Sequence, residues 1–135
     1  MTLNELITRV RSYTRDNTGT LFTASDVKSF INESIDRYKQ INEFKGMKHL
    51  NSDSDEPILL PSMYHYSLAL YSASRCFSQD EQHYLAQNYM DEFEGLYNLL
   101  QVLIKDGSLV ITDEEGNSIN SSIDFDGVTD VYFRR

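Results

Sequence analysis

The sequence predicts an all-α fold, a four-helix bundle over residues 1–105 followed by an extended or β-hairpin C-terminal arm over 106–135. Three observations carry this prediction. Apolar residues recur at helical spacing in four separate segments, each fitting a helix with one buried face. Capping residues stand at the starts of several of these segments. After Lys105 the helical period stops, and single apolar residues are scattered among Asp, Ser and Asn.

The elements follow in order. Thr2 and Glu5 have the N-cap and N3 spacing of a capping box, and Leu3, Leu6, Ile7, Val10 and Tyr13 place a first helix at about residues 3–15. Arg15–Thr20 is a turn cluster built on Asp16, Asn17 and Gly19. Thr23 and Asp26 give a second cap. The stripe Val27, Phe30, Ile31, Ile35, Tyr38 and Ile41 then runs to about residue 43. Residues 45–57 are polar, turn-prone and acidic, and are expected to form a surface loop or a short irregular excursion. Pro61 suits the first position of a third helix over about 61–77. Met63, Tyr66, Leu70, Ala73 and Phe77 line one side of it, and Tyr64, Leu68, Tyr71 and Cys76 widen its apolar surface. It should be the central, most buried helix. Ser78 and Glu81 repeat the capping-box spacing ahead of a long fourth helix with the stripe Leu85, Tyr89, Phe93, Leu96, Leu99, Leu100 and Leu103. Asp106-Gly107 ends it near Lys105.

The last thirty residues behave differently. Leu109, Val110, Ile111, Val128 and the other scattered apolar residues are too many for a solvated tail and too sparse to close a core. Such a segment usually finds its partner surface elsewhere, often on another chain. Ser108–Thr112 reads as a strand, 113–117 as a turn, and the rest as a second strand or an arm. The candidate partner-binding anchors are Ile119, Ile123, Phe125, Val131, Tyr132 and Phe133. Arg134 and Arg135 could pair with an acidic groove on a partner, or simply end the chain in solvent.

Composition narrows the function. A length of 135 residues suits one core. The net charge is -9, and residues 106–135 carry seven acidic side chains against two basic ones. Acidic surfaces do not attract nucleic acid, because phosphate contacts need Lys and Arg to release counterions. They also repel anionic membranes. A conduit that must let DNA slide past without gripping it would be acidic too. The single cysteine, Cys76, excludes an internal disulfide and fits a reducing cytosol. No apolar run nears the roughly 20 residues that span a bilayer, and the N-terminus has no export signal. The chain is expected to be soluble and intracellular when made.

No motif points to catalysis. His49, His65 and His83 show no metal-ligand spacing. Asp53, Asp55 and Glu56 lack the glycine and distal glutamate of a calcium loop. Asp91, Glu92 and Glu94 crowd one helical turn, where acid/base work competes with the plainer reading of a wet helix face. Cys76 follows Arg75, which lowers a thiol pKa only if both face water; a buried, inert thiol fits the wide apolar helix better. No cofactor, metal or catalytic residue is expected. Six tyrosines on the third and fourth helices suit either a protein interface or half-buried core edges.

The order of these pieces resembles the head–tail connector proteins of tailed bacteriophages, also called head-completion or adaptor proteins. The resemblance covers about residues 1–105. It rests on TLNELITRVRSYTRD, on FTASDVKSFINESIDRY with Phe30-Ile31-Asn32-Glu33 and the downstream Tyr38, and on Leu60-Pro61 leading into the helix with Ala73-Ser74-Arg75-Cys76-Phe77. An Asp/Glu-led long helix completes it. The resemblance implies a virion protein made in the host cytoplasm, a homo-oligomeric ring, typically a dodecamer, beneath the portal protein. That ring would extend the DNA channel without specific DNA binding and dock a tail or stopper protein. It also implies that the C-terminal arm reaches the portal. Two other classes compete. One is a non-viral regulatory or antitoxin-like helical binding module with a partner-binding arm. The other is a small hydrolase or transferase using Asp91, Glu92 or Glu94 with a metal.

Overall fold

A computed structural model describes residues 1–119. Within them the chain is all-α, with helices α1 (Leu3–Thr14), α2 (Ala24–Tyr38), α3 (Tyr66–Gln79) and α4 (His83–Lys105). Single 3₁₀ turns lie at Asn42–Phe44 and Ser62–Tyr64.

The first two caps form as the sequence predicts. The Glu5 amide donates to Thr2 Oγ1 and the Thr2 amide to Glu5 Oε1, closing the box at α1. The Asp26 amide donates to Thr23 Oγ1 at α2. Between the two helices, the buried Asp16 carboxylate gathers the Thr20, Leu21 and Phe22 amides. Burial pushes its pKa up, but those three donors and the nearby Arg11 guanidinium hold it net below the usual carboxylate range. Gly19 sits at φ +72, and a Cβ there would collide with the Arg11 guanidinium.

Beyond Tyr38 the structure departs from the expected pattern. α2 stops at Tyr38 rather than near residue 43, and Ile41, Phe44, Met47 and Leu50 are all buried in the core. These residues recur every third position, starting at the 3₁₀ turn Asn42–Phe44 and continuing through irregular backbone to Leu50. The expected surface excursion at 45–57 is therefore a strap. Asn32 fixes it with a reciprocal pair of bonds to the Leu50 backbone, at 2.8 and 3.1 Å. The Leu3 and Asn4 amides donate to the Asp55 and Asp53 carbonyls, which ties the strap to the start of α1.

α3 is the central helix and packs against α1, α2 and α4. Its buried serines make this close approach possible because each finds a partner. The Ser67 hydroxyl meets the Tyr38 hydroxyl at 2.7 Å, Ser72 donates to the Val27 carbonyl, and Ser74 donates to the Ala86 carbonyl. Pro61 opens the 3₁₀ turn instead of α3 itself, and Met63, in that turn, is exposed rather than on the buried stripe.

The Ser78–Glu81 capping box does not form. Ser78 is still inside α3, Glu81 turns the chain at φ +59, and α4 begins at His83 without a side-chain cap. The buried side of α4 is Ala86, Phe93, Tyr97, Leu100 and Ile104. Leu85 and Leu99 of the predicted stripe are exposed. At 100° per residue, the predicted stripe is centred roughly 70° away from the buried side, so its trailing edge at Leu85 and Leu99 turns out to solvent.

Packing continues past Lys105. The Leu109 amide donates to the Leu103 carbonyl, and Ile111, 1% exposed, belongs to the core. The predicted turn at 113–117 is present. Asp113 and Asn117 close it, with Gly116 at φ +85, and the Ile119 amide donates to the Ile111 carbonyl at 2.7 Å. Ser108–Thr112 contributes one isolated antiparallel bridge, Thr112 to Ser118, rather than a strand.

Candidate interaction surfaces

Once the phase of α4 is set by its contact with α3, its opposite side is fixed as well. That side carries Tyr84, Leu99 and Val102, which are 71, 45 and 57% exposed, with Gly95 between them. The exposed residues Asn88, Asp91 and Asn98 share it. The face therefore mixes polar side chains with large apolar ones that no core contact accounts for, a mixture usual at protein–protein contacts.

Beside this face, α4 is locked to α2 by a polar clamp. Arg37 pairs in a two-pronged way with Glu94, at 2.8 and 3.0 Å, while its guanidinium lies 4.8 Å from the centre of the Tyr97 ring. The Tyr97 hydroxyl donates back to the Arg37 carbonyl. A similar set ties α3 to α2, where Glu33 accepts from the Tyr71 hydroxyl and pairs with Arg75.

A second surface is a cleft of about 690 Å³ between the 46–59 strap and the 113–119 turn. Met47, Leu50, Leu59, Ile58 and Ile119 supply apolar lining. Asp55, Glu56, Asp113, Glu114 and Glu115 supply carboxylates, against one lysine, Lys48. Three of those carboxylates are already engaged, Glu56 with the Met1 ammonium at 3.5 Å. Asp55 accepts from the Asn51 and Ser52 amides, which hold its pKa below the usual range, and Asp113 accepts from the Glu115 and Asn117 amides. Glu114 and Glu115 are exposed.

The residues considered for chemistry do not converge. Asp91 accepts from Gln87, Glu94 serves the Arg37 clamp, and Glu92 is exposed. His49 meets Asp36 at 2.8 Å on the surface, and His83 starts α4. His65 is buried. Its Nε2 lies 2.7 Å from the Leu60 carbonyl and so carries the proton, which leaves Nδ1 to accept from the Met1 nitrogen at 2.7 Å. Burial lowers its pKa below 6.5. Cys76 is buried as expected, and burial pushes its thiol up to about 12, far from a reactive thiolate. Among the described residues no group of three or more His, Cys, Asp or Glu is placed to hold a metal ion, and no helix is long and apolar enough to cross a membrane.

Of the sequence-predicted partner residues, Ile119 is exposed and lines the cleft. Ile123, Phe125, Val131, Tyr132, Phe133, Arg134 and Arg135 lie outside the described residues. Sequence reasoning missed Val102 as a surface candidate and left Tyr84 open between an interface and a core edge. The signal existed in their helical phase, but it could be used only once the inward side of α4 was known. The cleft had no sequence signal, because it depends on a strap that reads as a polar loop. Of the six tyrosines expected on the third and fourth helices, Tyr97 is buried, Tyr64, Tyr66, Tyr71 and Tyr89 are half-buried, and Tyr84 alone faces outward. Comparison with protein-family models, curated proteins and solved structures gives no match.

Proposed function

We propose that the chain is a structural head–tail connector of a tailed phage, a non-enzymatic component of the virion. It would form a ring beneath the portal, lengthen the DNA channel and dock tail or stopper proteins. The outward face of α4 carries this reading. A ring needs subunits that fold alone yet keep an apolar surface open for their neighbours, and Tyr84, Leu99 and Val102 supply such a surface opposite the core. The polar groups of the bundle support the same view, since Arg37, Glu94, Glu33 and Asp16 are committed to holding helices and turns. The net charge of -9 suits a channel wall that DNA must pass. The C-terminal residues would reach the portal through Ile123, Phe125 and the Val131–Phe133 run, with backbone pairing and single apolar anchors.

Co-sedimentation with portal rings encoded in the same genome tests this reading. The full chain at micromolar concentration should pellet with the rings in a saturable, fixed ratio. A chain that stays in the supernatant at every concentration would rule the connector role out.

A further inference from the structure

We infer that the cleft between the 46–59 strap and the 113–119 turn receives the chain's own C-terminal segment, Val131–Arg135. The Val131-Tyr132-Phe133 side chains would lie against its apolar lining, and Arg134 and Arg135 at its acidic rim.

Three observations meet at this cleft. Its volume of about 690 Å³ falls in the range of sites that enclose a ligand, roughly 300–1,000 Å³. Ile58 and Ile119 offer exposed apolar surface within it, while the exposed Glu114 and Glu115 line it as well, and Glu56 pairs with the Met1 ammonium. The sequence then supplies the complement. The only basic residues of 106–135 are Arg134 and Arg135, placed directly behind the run Val131-Tyr132-Phe133. An apolar run followed by paired guanidinium groups matches an apolar lining with a carboxylate rim.

Connectivity selects the chain's own segment over a second copy. Ile119 is itself part of the cleft wall, so residues 120–130 tether the segment to the site it would fill. Each residue spans at most about 3.3–3.6 Å, so the eleven residues of this tether reach up to about 40 Å. Closing a loop of that size costs little more than closing a shorter one. A short tether also gives an effective concentration on the order of millimolar, far above that of a second chain at micromolar concentration. The portal anchors at the C-terminus would thus be held in place until a partner competes for them.

Carboxypeptidase B, which removes C-terminal arginine, reads this docking directly on the full chain. The Glu114→Lys/Glu115→Lys variant alters exposed side chains and leaves Asp113, which holds the turn, unchanged. Arginine release from it should be at least about ten-fold faster than from the unmodified chain, with an unchanged circular dichroism melt. From the other side, Arg134→Glu/Arg135→Glu should speed amide hydrogen exchange across 46–59 several-fold. Equal release rates together with unchanged exchange would overturn the inference. Protection that disappears on dilution would overturn it too, by assigning the occupant to a second copy. The docking uses no portal contact. A failed portal assay would leave it standing, and equal release rates would leave the connector reading untouched.

Discussion

On α4, Phe93 is fully buried and edge-on to Tyr38 and Tyr71, whereas Val102, farther along the same helix, stands mostly in solvent. Both are large apolar residues on a strongly helical segment, and the predicted stripe includes Phe93 but not Val102. They differ only in phase. Phe93 shares the arc of Ala86, Tyr97, Leu100 and Ile104 that α3 covers, and Val102 shares the arc of Tyr84 and Leu99 that no described residue covers. The inner face explains why the chain folds. Under the connector proposal, the outer face would meet a neighbouring subunit of the ring.

The comparison is broken most forcefully from inside. Phe93→Ala should cost about 3–5 kcal/mol, measured by urea unfolding, because it removes the ring at the centre of the α2–α3–α4 aromatic cluster. Ile111→Ala should cost about 2–5 kcal/mol by the same measurement. A cost below about 0.5 kcal/mol, usual for a surface site, would mean that packing stops with α4 after all.

A smaller effect is expected on the strap side. His65 is held neutral between the Met1 nitrogen and the Leu60 carbonyl, with a pKa below its ordinary 6.5. The unfolded chain therefore binds this proton more readily than the folded one. The His65 contribution to stability is complete above pH 6.5 and is lost as pH falls through the lowered folded value. Denaturation midpoints between pH 7.5 and 5 should fall, and His65→Gln should flatten that slope. An unchanged slope in the variant would place the titration elsewhere.

Much of the bundle was legible in the sequence because local signals and packing agree there. Thr2, Glu5 and Thr23 cap as their spacing says, and Asp16 and Gly19 build the turn they announce. α3 is central because it is apolar on most of its circumference. The failures share a physical cause. Met47 and Leu50 sit in a polar-looking stretch and are buried at a spacing of three, which neither the helical nor the strand template detects. Glu81 adopts a left-handed turn that breaks a well-spaced capping signal. Leu99 fits a core stripe on paper because a stripe has a period but no absolute direction until a partner helix supplies one. The candidate surfaces were the least legible part, since exposure on α4 and the depth of the cleft both depend on tertiary arrangement.

The smallest effect on folding carries the largest consequence for function. Leu99→Asp/Val102→Asp should change stability by no more than about 0.5 kcal/mol, since both side chains already face solvent. Native mass measurement of the portal assembly, formed with the unmodified chain and with this variant, therefore reads whether the outer face of α4 joins neighbouring subunits. A closed ring with a fixed copy number on the portal is expected for the unmodified chain, and no complete ring for the equally well-folded variant. Full rings from the variant, or portal alone from the unmodified chain, would contradict this expectation.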